Sequence, residues 1–135
     1  MSKHGLLLIG HGSRLRYNKE LATSTAQLMA EKNGDFMIKS CFMENSSPTV
    51  MEGINEMKKE DIELLVIVPL FLAKGVHVLQ DIPELLGLNT DEYRGSFTLD
   101  NGKIIPLVYA DPIGHDPLLA DLMLKNAHNA ISAHL

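Results

Sequence analysis

Four short, unbroken apolar runs, separated by longer stretches of helical period, dictate what this chain can fold into. The runs are Leu6-Leu7-Leu8-Ile9, then residues 36–42, then Leu64-Leu65-Val66-Ile67-Val68, then residues 104–109. A strand wetted on one side alternates polar and apolar residues. A continuous apolar run is instead buried on both faces, as in a parallel sheet covered by helices on each side. The pattern therefore predicts an α/β chain, a three-layer sandwich with a four-stranded, mainly parallel sheet in the order 2-1-3-4 and helices on both faces. Lys39 and Ser40 interrupt the second run and predict an edge strand, whereas the third run is the most apolar and predicts the centre. Pro106 has no N–H for a sheet ladder, which predicts that the fourth strand is also an edge.

Helix signals fill the intervals. Ser47 before Pro48, and Asp116 before Pro117, read as N-caps followed by a first-turn proline. Val50, Met51, Ile54 and Met57 then share one helical face, and Leu118, Leu119, Leu122, Met123 and Ile131 mark another helix. A third helix is predicted from Asn18 to Asn33 through Leu21, Ala22, Leu28 and Met29, and a fourth from about Val76 to Leu86, ended by Gly87. Asp100-Asn101-Gly102 is a turn signal that predicts a short hairpin between residues 96–99 and the fourth strand.

Composition narrows the class of function. With 135 residues and 45% apolar content, the chain is expected to form a single domain over 1–135. The lone Cys41 cannot form an internal disulfide and is expected as a buried, inert thiol in a reducing compartment. No apolar run is long enough for a membrane span, so a soluble, cytoplasmic protein with no membrane partner is expected. A formal charge of -5 and no tryptophan argue against nucleic acid as a partner.

In open α/β sheets, ligands bind beyond the carboxyl ends of the strands. Here those ends lead into Gly10-His11-Gly12-Ser13-Arg14, Met43-Glu44-Asn45, Lys74-Gly75-Val76-His77 and Asp111-Pro112-Ile113-Gly114-His115. With the strand order 2-1-3-4, His11 and His77 face one crevice, and Glu44 borders it. Two imidazoles and a carboxylate suit a borderline transition metal. Gly10 and Gly12 allow a sharp turn and close approach to a flat ligand. The remaining histidines, His4, His128 and His134, are assigned no role, and His115 reads more readily as a surface residue than as a ligand. The chain has no GxxxxGK(S/T) phosphate loop, GxGxxG, GxSxG or CxxC.

Residues 8–14, 42–49, 68–83 and 112–117 resemble the short CbiX-type sirohydrochlorin chelatases, in order and over nearly the whole chain. The resemblance implies a chelatase-like α/β sandwich and an ATP-independent enzyme that inserts Co²⁺ or Ni²⁺ into sirohydrochlorin, releasing two protons, for cobalamin or a nickel tetrapyrrole coenzyme. It implies a homodimer whose two copies wall one cleft, with no cofactor beyond the substrate metal ion. The family's metal-binding histidines fall on His11 and His77. Those two and Glu44 are then the candidate catalytic residues, with a histidine or Glu44 accepting the pyrrole protons. Gly10, Gly12, Ser13, Arg14, Lys74, Gly75 and Val76 are the candidate substrate contacts, since sirohydrochlorin carries eight carboxylates that call for cations and backbone donors. Alternatives from the same residues are a ferrochelatase of siroheme synthesis, a non-catalytic metal carrier, or a phosphoryl-transfer enzyme using His11.

Overall fold

A computed structural model describes residues 4–89 and 91–135. In chain order the elements are β1 (His4–Gly10), α1 (Arg16–Lys32), β2 (Phe36–Phe42), α2 (Val50–Lys58), β3 (Leu64–Pro69), a π-helical turn over His77–Asp81 that continues into α3 (Ile82–Leu85), β4 (Arg94–Thr98), β5 (Ile104–Tyr109) and α4 (Pro117–His134). Among the described residues, one sheet of five strands forms in the order β2-β1-β3-β5-β4. The first four of these are parallel, in the 2-1-3-4 order read from the apolar runs, and the most apolar run is the middle strand. The predicted hairpin supplies the fifth strand, β4, antiparallel at the edge.

Pro106 does not make β5 an edge, contrary to expectation. Tyr109 N donates to Tyr93 O and Leu99 N donates to Lys103 O, so odd-numbered β5 residues form the hydrogen-bonded pairs with β4. The nitrogen of Pro106 therefore faces β3, and pairing with β3 begins one residue later, at Leu65 with Leu107. The missing N–H falls where no ladder bond is made.

Side chains of alternate strand residues build two different faces. One carries Leu7, Ile9, Cys41, Leu65, Ile67 and Leu107, all at most 1% exposed, packed by Val50, Ile54 and Met57 of α2, by Val78 of the π-helical turn and by Ile82 of α3. Burying such a side chain stabilises the fold by about 1.5–3 kcal/mol. Burial also pushes the Cys41 thiol up to about 12, which keeps it unreactive. On the opposite face, α1 covers Leu6 and Leu8, with Ala22 as its buried residue. Leu21 and Leu28 of α1 are exposed, as is Met51 of α2, so the apolar period marked these helices without marking which positions the core takes. The whole predicted apolar face of α4 is outside the core too.

Helix α2 is capped by Thr49 and not by Ser47. Thr49 Oγ1 accepts from Glu52 N, and Glu52 Oε1 accepts from Thr49 N, a reciprocal capping box. Ser47-Pro48 is a cis peptide one step outside the helix. Asp116 caps α4 as expected, accepting from Leu118 N. No helix among the described residues is long and apolar enough to cross a membrane.

Candidate functional site

Three parallel strands bring the site together at their carboxyl ends. Beyond β1 and β2 the backbones stay paired, Met43 N donating to Gly10 O and Glu44 N to His11 O, both at 3.0 Å, which places His11 beside Glu44. Leu70 N donates to Ile9 O at 2.8 Å and continues the pairing of β1 with β3. The chain after β3 then returns His77 to within 4.8 Å of His11, ring centroid to ring centroid, with Phe71 against both rings.

Glycine at position 12 is a requirement of this approach. Its φ is +87°, and a Cβ there would stand 1.7 Å from the Glu44 carbonyl oxygen. Gly10 is also tightly packed, against Phe42 and the Asn18 side chain. Asn18, in the first turn of α1, accepts the Gly12 N–H at 2.8 Å and pins the loop from the helical side.

The donor atoms of His11, Glu44 and His77 all lie within 4.8 Å of one another. Donors sharing one ion with bonds of about 2.1 Å stand about 3 to 3.4 Å apart, a spacing within reach of small rotations of these side chains. His11 Nε2 donates to Glu44 Oε1 at 2.6 Å, with both side chains about half exposed. His77 Nδ1 donates to Asp81 Oδ2 at 2.8 Å, one helical turn on, which leaves Nε2 with its lone pair for a ligand. Asp81 was not singled out from the sequence; its spacing of four from His77 was the available signal. Tyr109 Oη donates to Val78 O at 2.7 Å and ties the π-helical turn that carries His77 to β5. Burial first, then Tyr93 and Asp111 nearby, pushes that phenol up, so it stays a donor. Single π-helical turns recur at functional sites.

Two clefts are lined by residues close in sequence to the cluster. One, of about 440 Å³, is lined by Ser13, Arg14, Arg16, Lys19 and Asn45. The other, of about 430 Å³, is lined by Lys74, Asp111, Ile113 and His115. The Ser13 hydroxyl accepts from Leu15 N at 3.2 Å and serves the turn. Gly75 has open space around it, and Val76 is exposed. His115 is exposed and is not part of the three-donor cluster.

This is the architecture of a metal-handling α/β protein whose ligand cluster opens onto solvent at the carboxyl edge of a parallel sheet. Residues 5–130 match the family model described as CbiX, and the chain belongs to that family. It is similar to the sirohydrochlorin cobaltochelatase of Methanococcoides burtonii, 46% identical over 93% of this chain and 95% of the relative. It is also similar to the sirohydrochlorin cobaltochelatase of Methanosarcina barkeri, 45% identical over 96% and 98%. Among solved structures, SirB from Bacillus subtilis with Fe³⁺ superposes with a TM-score of 0.71 at 22% identity, over 98% of this chain and 48% of that one.

Proposed function

We propose that this chain inserts a divalent metal, Co²⁺ or Ni²⁺, into sirohydrochlorin without ATP. The observation that carries the reading is the open cluster of His11, Glu44 and His77, in a chain 46% identical to a sirohydrochlorin cobaltochelatase. Insertion exchanges two pyrrole N–H protons for one M²⁺, so the site must hold the ion loosely and accept protons. Two imidazoles on one side of the ion leave coordination positions for the pyrrole nitrogens, whereas four protein ligands would trap it. His77 offers Nε2, held in that tautomer by Asp81. His11 is paired with Glu44, and this pair is the place where the leaving protons are received. Arg14 and Lys74, each lining a cleft, bind the carboxylates of the macrocycle, and the glycines of the first loop let the ring approach the backbone.

The domain acts as half of a cleft, with a second copy forming the other wall. Its span of about half the matching SirB chain supports this. The reaction is assigned to the cytoplasm, where the unpaired Cys41 stays reduced. The test is anaerobic mixing of the purified protein, sirohydrochlorin and Co²⁺, Ni²⁺ or Fe²⁺, followed by visible absorbance. Protein-accelerated conversion with Co²⁺ or Ni²⁺ is expected. Conversion with Fe²⁺ alone would make it a siroheme ferrochelatase, and metal binding with an unchanged spectrum would make it a carrier.

A further inference from the structure

The helical segment that carries His77 changes its bonding along its length. Leu79 N donates to Gly75 O at 2.8 Å, the four-residue spacing of an α-helix. Ile82 N donates to His77 O across five residues, and Leu86 N returns to the four-residue spacing with Ile82 O at 3.1 Å. A helix that widens and then narrows again passes over one carbonyl, and here that carbonyl is Val78 O. Its α-helical donor would be Ile82 N, which is given to His77 O. Its five-residue donor would be the nitrogen of residue 83, which is proline and has no N–H. An α-helical path through this point would also press the Pro83 ring against the Leu79 carbonyl, so the wider turn is the one the sequence permits. Val78 is 4% exposed and Pro83 is buried, and a buried carbonyl left without a donor is costly.

Tyr109 supplies the donor from outside the helix. Its hydroxyl reaches Val78 O at 2.7 Å from the last residue of β5, 31 residues away in sequence. The Tyr93 ring stacks on the Tyr109 ring, with centroids 6.0 Å apart and planes within 17°, and Tyr109 N donates to Tyr93 O. The phenol is thus held through both its ring and its backbone.

We propose that Tyr109 is a positioning residue for His77. By taking up the carbonyl that Pro83 leaves without a donor, its hydroxyl holds the π-helical turn, and with it the setting of the imidazole toward His11 and Glu44. Val78 follows His77 directly, so the bond acts one residue from the ring it sets. Asp81 determines which nitrogen bears the proton, and Tyr109 determines where the ring stands. Without the hydroxyl, Val78 O competes for Ile82 N–H, the group that now closes on His77 O. A one-residue change of register turns a helical side chain by about 100°, which carries His77 away from its two partners.

This role rests on the reading of His77 as a metal ligand, but the hold on the turn is measurable without metal. The test is amide hydrogen exchange on the metal-free protein, joined to calorimetric titration with Co²⁺ in the absence of sirohydrochlorin. It compares the parent, Tyr109→Phe, and a variant with 4-aminophenylalanine in place of Tyr109, which keeps a donor at the same ring position. Tyr109→Phe is expected to speed exchange of the Ile82 amide by about 10-fold, while the Gly53 amide, bonded to Thr49 O in α2, keeps its parent rate. Co²⁺ affinity is expected to fall by about 10-fold, and the amino variant to recover most of both losses. An unchanged Ile82 amide overturns the proposal. So does faster exchange of both amides alike, which marks a general loss of stability. A faster Ile82 amide with parent Co²⁺ affinity overturns it too, because the imidazole then does not depend on the turn, as does an amino variant that recovers nothing. A parent that binds no Co²⁺ defeats the metal site alone, and the exchange rates then decide the hold of Tyr109 by themselves.

Discussion

His11 and His77 stand 4.8 Å apart, each bonded to a carboxylate, but the two are held by different devices. The partner of His77 is local, four residues on in the same helical turn, and takes Nδ1. The partner of His11 is 33 residues away on the neighbouring strand end, and it takes Nε2. The first arrangement places the proton on Nδ1 and leaves Nε2 as the atom that, under the proposed function, binds the metal. The second engages Nε2 with a carboxylate from the neighbouring strand end, so under the proposed function a metal that binds this nitrogen displaces a proton onto Glu44. Under the proposed function, one histidine holds the metal and the other exchanges a proton for it.

The largest effect expected from this difference is in His77→Ala, which should abolish metal insertion and leave the thermal melt within about 0.5 kcal/mol of the parent. His11→Ala should lose less, and equal losses in initial rates would erase the distinction. Glu44→Gln should lower kcat by about 100-fold with KM for sirohydrochlorin nearly unchanged, the signature of lost proton transfer. A rise confined to KM would reassign Glu44 to binding. Asp81→Asn should weaken Co²⁺ affinity by about 10- to 100-fold in calorimetric titration, with Asp81→Glu recovering part of it. Unchanged affinity would show that His77 needs no orienting carboxylate. Arg14→Ala and Lys74→Ala should have the smallest effect, a rise of a few-fold in KM for sirohydrochlorin at constant kcat.

The strand order and the three-donor cluster were legible because both follow from local facts: buried strands read as unbroken apolar runs, and their carboxyl ends can be scanned for ligands. What escaped reading depended on register or on competing signals. Pro106 looks like an edge residue until the pairing parity shows which neighbour its nitrogen faces. Ser47-Pro48 looks like a helix start, but Thr49 with Glu52 offers two reciprocal bonds where Ser47 would offer one. Asp81 lies within the helical pattern, where a solvent-facing carboxylate is ordinary. The apolar period of α4 announced a helix without marking that none of its residues would be buried. Asn18, accepting the Gly12 N–H, lay in the first turns of a helix with nothing to connect it to a loop six residues back.

The Glu44 carbonyl over Gly12 also bears on how such a site can evolve. Any side chain at position 12 would have to push the β2 end away from the β1 end, separating His11 from Glu44 before it altered anything else. Selection for a different metal therefore has no gradual route through position 12. It must work through the residues around the cluster, such as Asp81, Phe71 and the two clefts, where a single substitution changes the setting of the donors and leaves their juxtaposition intact.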